Sequence, residues 1–254
     1  MKFPSRFAVF LLLFWGCKEK PMLSFTLEGF TEKELAICEN DPCAKVTIDY
    51  VKASGESPMA KKINATMEAF IIEKLFLDRG KSPSAKTMEE AAQQFVLSEK
   101  DSNYLNEFEV PSEASVAISE LFQNRRLMSL QCNSYFYTGG AHGYGSTSFK
   151  NFDLDSGEEL PLEELFKNYR TFLKFAEEKF REAYHIPKEE SINASGFDFG
   201  EAIFSLPDTM GVDSENLIFV YNPYEIASYA EGPIELRISL KEANPYLNTP
   251  YFNE

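Results

Sequence analysis

Two neighbouring runs near the C-terminus constrain the fold most. LIFVYN (217–222) turns apolar side chains to both faces. A strand of that kind is covered on both sides and lies centrally in its sheet. PIELRISL (233–240) instead alternates, with Ile234, Leu236, Ile238 and Leu240 on one side and Glu235, Arg237 and Ser239 on the other. That period of two predicts a strand with one wet face. NPYEIASYAEG joins the two and opens on a turn dipeptide. Two strands with so short a link pair antiparallel.

The rest of the chain mixes the same two periods. LSFTLEG (23–29) and KVTIDYVK (45–52) read as strands; in the second, Val46, Ile48 and Tyr50 alternate with Thr47 and Asp49. From Ala60 to Leu77 the period becomes helical, with Ile63, Met67, Phe70, Ile71 and Leu75 on one face. DRGKSPSAK closes that helix. Thr87, with Glu90 three places on, predicts a capping box for a long helix, MEEAAQQFVLSEKDSNYLNEF (88–108). SVAISELFQ, LMSLQCNSYFYTG and YGSTSFKNFDL predict an antiparallel meander, followed by a turn at Asp155–Gly157. A second unit begins near Leu160. It holds a short helix at PLEELF and an amphipathic one at RTFLKFAEEKFREAYHI, with Phe172, Ala176, Phe180 and Ala183 on one side. Mixed order with hairpin-like links predicts an α+β protein: two small antiparallel-sheet-plus-helix units, 23–157 and 158–254, packed together.

The N-terminus has a different logic. Lys2 and Arg6 precede FAVFLLLFWG, an apolar run of ten residues followed by Cys17. The run is too short to span a bilayer and has the layout of a secretory signal over residues 1–16. A cysteine directly after it is similar to a bacterial lipoprotein signal, in which the thiol receives the lipid. Gly16 fits that pattern; Phe14 stands where leucine is usual. The expectation is an exported protein, anchored through Cys17 in the bacterial envelope, with residues 17–22 as a tether. An ordinary cleaved signal with an incidental cysteine is the simpler alternative. Removing residues 1–16 takes away two basic residues and no acidic ones. That leaves 23 basic and 40 acidic residues, a charge of −17 against −15 for the whole chain.

Such a charge repels phosphate backbones, which disfavours nucleic acid as a partner; it suits a cationic partner, and its simpler reading is solubility. Export permits disulfides. Cys38 and Cys43 bracket ENDP, a turn-prone tetrapeptide, so a small closed loop is geometrically easy; Cys43–Cys132 is the open alternative. Cys132 sits in a strand-like run as a buried thiol. No CxxC pair points to zinc or redox work, and neither metal nor cofactor is expected.

Two stretches carry the candidate binding residues. SYFYTGGAHGYG begins at Ser134 and contains His142, one of two histidines. It has neither a GxSxG elbow nor a GK[ST] ending. The other histidine, His185, is 43 positions away at a helix end, which argues against a zinc site. The glycines predict a tight turn between strands, and Tyr135, Tyr137, Gly139, Gly140, His142 and Tyr144 are the candidates for a ligand-facing lip on it. On NPYEIASYAEG, the candidates are Asn222, Tyr224, Glu225 and Tyr229. Asp153 and Asp155 begin like a calcium loop, but Gly157 and Glu158 break that pattern, so a hairpin turn is expected. Sequons at Asn64 and Asn193 are chance matches in a bacterial lipoprotein.

YTGGAHGYG, then FDLDSGEEL, then FSLPDTMGVDSENLIFVYNPYEIASYAEGPIELRISL resemble a paired module. Its halves are the domains of unknown function 4163, here Cys43 to about Tyr144, and 3298, here Pro161 to Leu240. The same pair forms the extracytoplasmic part of anti-sigma factors of the RsiV type, which sense lysozyme by binding it. The first half also precedes the catalytic domain of the peptidoglycan deacetylase PdaC. The resemblance implies an envelope-facing binding module whose partner is a lysozyme-like hydrolase or a peptidoglycan fragment. It carries no catalytic residue onto this chain. A rival reading makes His142 and a nearby carboxylate the acid and base of a cell-wall-sugar enzyme. A third makes the protein a structural adaptor with an exposed apolar patch.

Overall fold

The computed structural model describes residues 22–40, 42–78, 80–102 and 110–252. The predicted signal segment, Cys17, the predicted tether up to residue 21 and the stretch 103–108, which the sequence assigns to the long helix, lie outside the described residues. The architecture is α+β, with a five-stranded and a three-stranded sheet. No described helix is long and apolar enough to cross a membrane.

The first sheet has the order β1 (Phe25–Thr31), β2 (Lys45–Ala53), β3 (Glu113–Gln123), β4 (Leu127–Tyr137) and β5 (Tyr144–Asp153). The β3–β4–β5 meander is antiparallel, as is β1–β2. The sheet is not wholly antiparallel, however: β2 and β3 run parallel, with Ile48 opposite Val116. The helical segment between them makes this possible. A parallel pair needs a crossover, and α1 (Pro58–Leu75) and α2 (Met88–Ser102) supply it. Their apolar faces cover one side of the sheet. Ile63, Met67, Ile71 and Phe95 pack with Val46, Ile48, Val116, Ile118 and Cys132 in one core.

Local chemistry sets the helix ends. Ser57 accepts from the Ala60 amide at 3.1 Å ahead of Pro58, and Thr87 Oγ1 accepts from the Glu90 amide at 3.2 Å. The return arm of the predicted box is displaced by one residue: the Glu90 carboxylate accepts from the Lys86 amide at 2.7 Å.

The second unit pairs β6 (Gly211–Val212), β7 (Asn216–Tyr221) and β8 (Ile234–Ser239), with β7 central as its two-sided apolarity requires. Against it pack α3 (Tyr169–Ala183) and the short α4 (Leu240–Ala243); α5 (Thr249–Phe252) ends the described chain. Phe172 and Phe180 are fully buried in an aromatic core with Phe199, Phe204, Phe219 and Tyr221. Each such ring contributes about 1.5–3 kcal/mol by leaving water. Ala183, expected on the buried face, is exposed. The helix stops there. His185 takes φ 57°, its amide donates to Glu182, and the Ile186 amide donates back to Arg181 at 2.8 Å. This left-handed C-terminal cap turns Ile186 into the core in place of Ala183.

The two units interlock. Ser129 Oγ accepts from the Val212 amide at 3.0 Å, and Asn151 Nδ2 donates to the Met210 carbonyl at 2.7 Å. Phe149 joins Ile218 and Val220 in a small shared cluster. Gly211 lies so close that a Cβ there would sit 2.5 Å from the Phe149 ring. Cys38 and Cys43 are bridged, which closes the Cys43–Cys132 alternative. Cys132 is a buried thiol whose pKa burial pushes up to about 12.

Candidate functional site

The two candidate stretches lie far apart in sequence, one in each unit, yet they meet. β4 and β5 form a hairpin whose turn is TGGAHG. Gly139 and Gly140 both hold φ above 90°, which side chains resist, and Tyr137 Oη donates to the Gly140 carbonyl at 3.3 Å across the turn. The hairpin tip carries His142 over the link between β7 and β8. There the His142 ring stacks on Tyr229, with centroids 3.8 Å apart and planes 16° from parallel. Tyr229 Oη donates to the Gly143 carbonyl at 2.8 Å, and Tyr144 Oη donates to that of Pro223 at 3.4 Å. Tyr224 extends the ring column, with its centroid 5.6 Å from that of Tyr229. It holds φ 74° and is 61% exposed. A bulky residue held in the left-handed region and turned to solvent is strain that the surroundings must support.

Asn222 is the strut of this junction. Its Oδ1 accepts from the Thr147 amide at 2.7 Å and its Nδ2 donates to the Thr147 carbonyl at 3.1 Å. The side-chain amide thus pairs with the edge of β5 as a neighbouring strand would. Glu225 holds the other side, accepting from the Asn222 amide at 2.9 Å and from Nδ2 at 3.1 Å.

Beside the junction lies an open groove of about 640 Å³. Tyr135, 40% exposed, and Tyr229 stand along it; Asn133, Gly145 and Thr147 belong to its floor, and Glu231 is the charged residue lining it. The Ser134 and Ser146 hydroxyls, 2.7 Å apart, and the Thr147 hydroxyl, donating to Asn133 Oδ1 at 2.9 Å, are further polar features of this hairpin. The structure therefore brings together Tyr135, His142, Tyr144, Asn222, Tyr224 and Tyr229. It places Gly139 and Gly140 in the turn, Tyr137 at the end of β4 bracing that turn, and Glu225 bracing Asn222. Sequence reasoning missed Gly145, Thr147 and Glu231. The first two were legible as alternate positions of YGSTS; Glu231 had no signal beyond its place in the loop.

Chemically, the site offers rings, hydroxyls and amides. Nδ1 of His142 donates to the Gly143 carbonyl at 3.0 Å, and no carboxylate among the described residues is hydrogen-bonded to this histidine. No group of three or more metal-ligating side chains occurs among the described residues.

The fold and its joined loops define a two-unit α+β protein with a composite face. Comparison with known proteins places each unit. Residues 37–144 match the family described as deacetylase PdaC, and residues 163–241 match the protein family of unknown function DUF3298. A solved DUF3298 family member from Bacteroides fragilis is similar over 89% of this chain and 94% of its own, with a TM-score of 0.69 and 19% identity. A DUF3298 family protein from Pseudomonas aeruginosa aligns over 91% of this chain and 96% of its own, at TM-score 0.61 and 19% identity. These likenesses establish the shared fold. No curated protein matches the chain.

Proposed function

We propose that this is a binding protein of the bacterial cell envelope, held to the membrane by a lipid on Cys17, which recognises a lysozyme-like cationic hydrolase or a peptidoglycan fragment without catalysis. The observation that carries the reading is the composite face. Two loops from separate units are latched by the His142–Tyr229 stack and the Asn222 strut, and they present tyrosines rather than an acid–base pair. Tyrosine suits recognition because it offers a large rigid area with a polar tip. The presence of PdaC and DUF3298 segments fits an envelope protein. The acidic charge, −17 once residues 1–16 are removed, accelerates encounter with a basic enzyme, an effect that salt weakens.

Calorimetric titration of the full chain in mild detergent with lysozyme tests the proposal. Micromolar or tighter binding that weakens from low to physiological salt is expected, with a further loss in a folded His142→Ala variant. Absence of binding at low salt excludes lysozyme. Peptidoglycan fragments are titrated in the same way, and silence from both overturns the reading.

A further inference from the structure

Along β5 the backbone groups that face away from β4 fall on alternate residues. The Asp153 amide donates to the Glu158 carbonyl, and the Asn151 carbonyl accepts from the Leu160 amide. The Phe149 amide donates to Thr209 Oγ1 at 3.2 Å, and Thr147 pairs twice with Asn222. The second unit thus occupies this edge one outward residue after another. The register continues to Gly145, which stands opposite Tyr135 in the same phase as Thr147 opposite Asn133. Its N–H and C=O therefore also point outward, and no partner for them is found among the described residues. Gly145 lines the groove.

We propose that this groove binds an extended polypeptide segment carrying a basic side chain, which adds to the open end of β5 by pairing its backbone with Gly145. The adjacent position shows that the edge accepts an amide: Asn222 already occupies Thr147 as a strand would, and Gly145 lies about 7 Å further along. Two more asparagines use the same pairing in this chain, Asn64 with both backbone groups of Ala53 and Asn193 with both of Phe199, so an unfilled position on such an edge stands out. Strand addition takes its affinity from main-chain bonds and its specificity from flanking side chains. The flanks here are Tyr135 and Tyr229, and the charge is that of exposed Glu231; no basic side chain lines the groove. This choice of ligand deepens the binding reading above and rests on it.

Gly145 gives an unusually clean test. A Cβ placed there would meet its nearest atoms at 3.9 Å, an ordinary contact. The outward N–H belongs to no ladder bond, so proline is tolerated as it is on other sheet edges. The probe is the fluorescein-labelled peptide acetyl-Thr-Lys-Val-Lys-Val-Lys-Thr-amide, read by anisotropy against the full chain in mild detergent. Saturable binding is expected, lost about tenfold or more in Gly145→Pro, unchanged within about threefold in Gly145→Ala, and weakened in Glu231→Gln. A probe with glutamate for each lysine should bind at least about tenfold more weakly. Circular dichroism and urea midpoints establish that each variant is folded. No binding of the lysine probe, or equal binding by Gly145→Pro and Gly145→Ala, overturns the proposal. So does a concentration-dependent dimer abolished by Gly145→Pro, which would make the occupant a second copy. Lysozyme binding without peptide binding sinks this inference alone; peptide binding without lysozyme or peptidoglycan binding sinks the identity of the partner and leaves the edge site standing.

Discussion

Replacing Asn222 by alanine separates a structural strut from a ligand-contact residue. The side chain makes two hydrogen bonds to the Thr147 backbone, at 2.7 and 3.1 Å, and one to the exposed Glu225 carboxylate. Truncation leaves the half-buried N–H and C=O of Thr147 to whatever water can reach them. At about 1 kcal/mol net per bond to the backbone, and little for the exposed one, the loss is about 2 kcal/mol. For a chain of this size that lowers Tm by about 4–8 °C. Asn222→Asp keeps the acceptor for the Thr147 amide but replaces the donor by an oxygen facing the Thr147 carbonyl and the Glu225 carboxylate. It should cost at least as much at pH 7. The introduced carboxyl is easier to protonate in the fold than in the unfolded chain, so its cost shrinks as pH falls from 7 toward 4. Urea unfolding at both pH values measures both effects. A change under about 0.5 kcal/mol in Asn222→Ala, or a deficit in Asn222→Asp that grows on acidification, refutes the argument that this amide joins the units.

Two further outcomes follow from packing. Gly157 holds φ 75°, and a Cβ there would lie 2.8 Å from Cα and the carbonyl oxygen of Met59, so Gly157→Ala should cost about 3 kcal/mol in urea unfolding. Cys132, its thiol pKa raised by burial to about 12, should resist iodoacetamide at pH 8 until the protein unfolds. An unfolded thiol ionises near pH 8.5. Its stabilising contribution is therefore full below that pH and disappears as pH rises toward 12, so the alkaline loss of stability should be shallower in Cys132→Ala.

The helices and strands were legible because their periods are strong. Ile63, Met67 and Ile71 are buried where a helical period puts them, and Leu236 and Ile238 where a strand period does. The parallel β2–β3 pair was not legible, since alternation in KVTIDYVK is the same whichever way its neighbour runs; the two helices between the strands permit a parallel return without dictating it. Ala183 failed for a related reason. Its face was read correctly, but the face ends where His185 enters the left-handed region, and histidine does not announce that conformation as glycine does.

The site was legible as parts and illegible as a whole. His142 and Tyr229 each stood out locally, but their stack spans 87 positions and depends on how the units pack. The same packing changes what Asn222 is. In sequence it is a polar residue on a loop, the usual place for a ligand contact. In the structure both ends of its side-chain amide are engaged by Thr147 and Glu225. An amide committed in this way has little left to offer a ligand, and what it positions matters more. By filling the edge at Thr147 and stopping there, Asn222 leaves Gly145 as the next outward backbone pair, in a groove walled by rings from both units. Separation of the units would therefore remove the wall and the cap together, leaving a bare strand edge. Recognition at this face thus depends on the docked state of the two units.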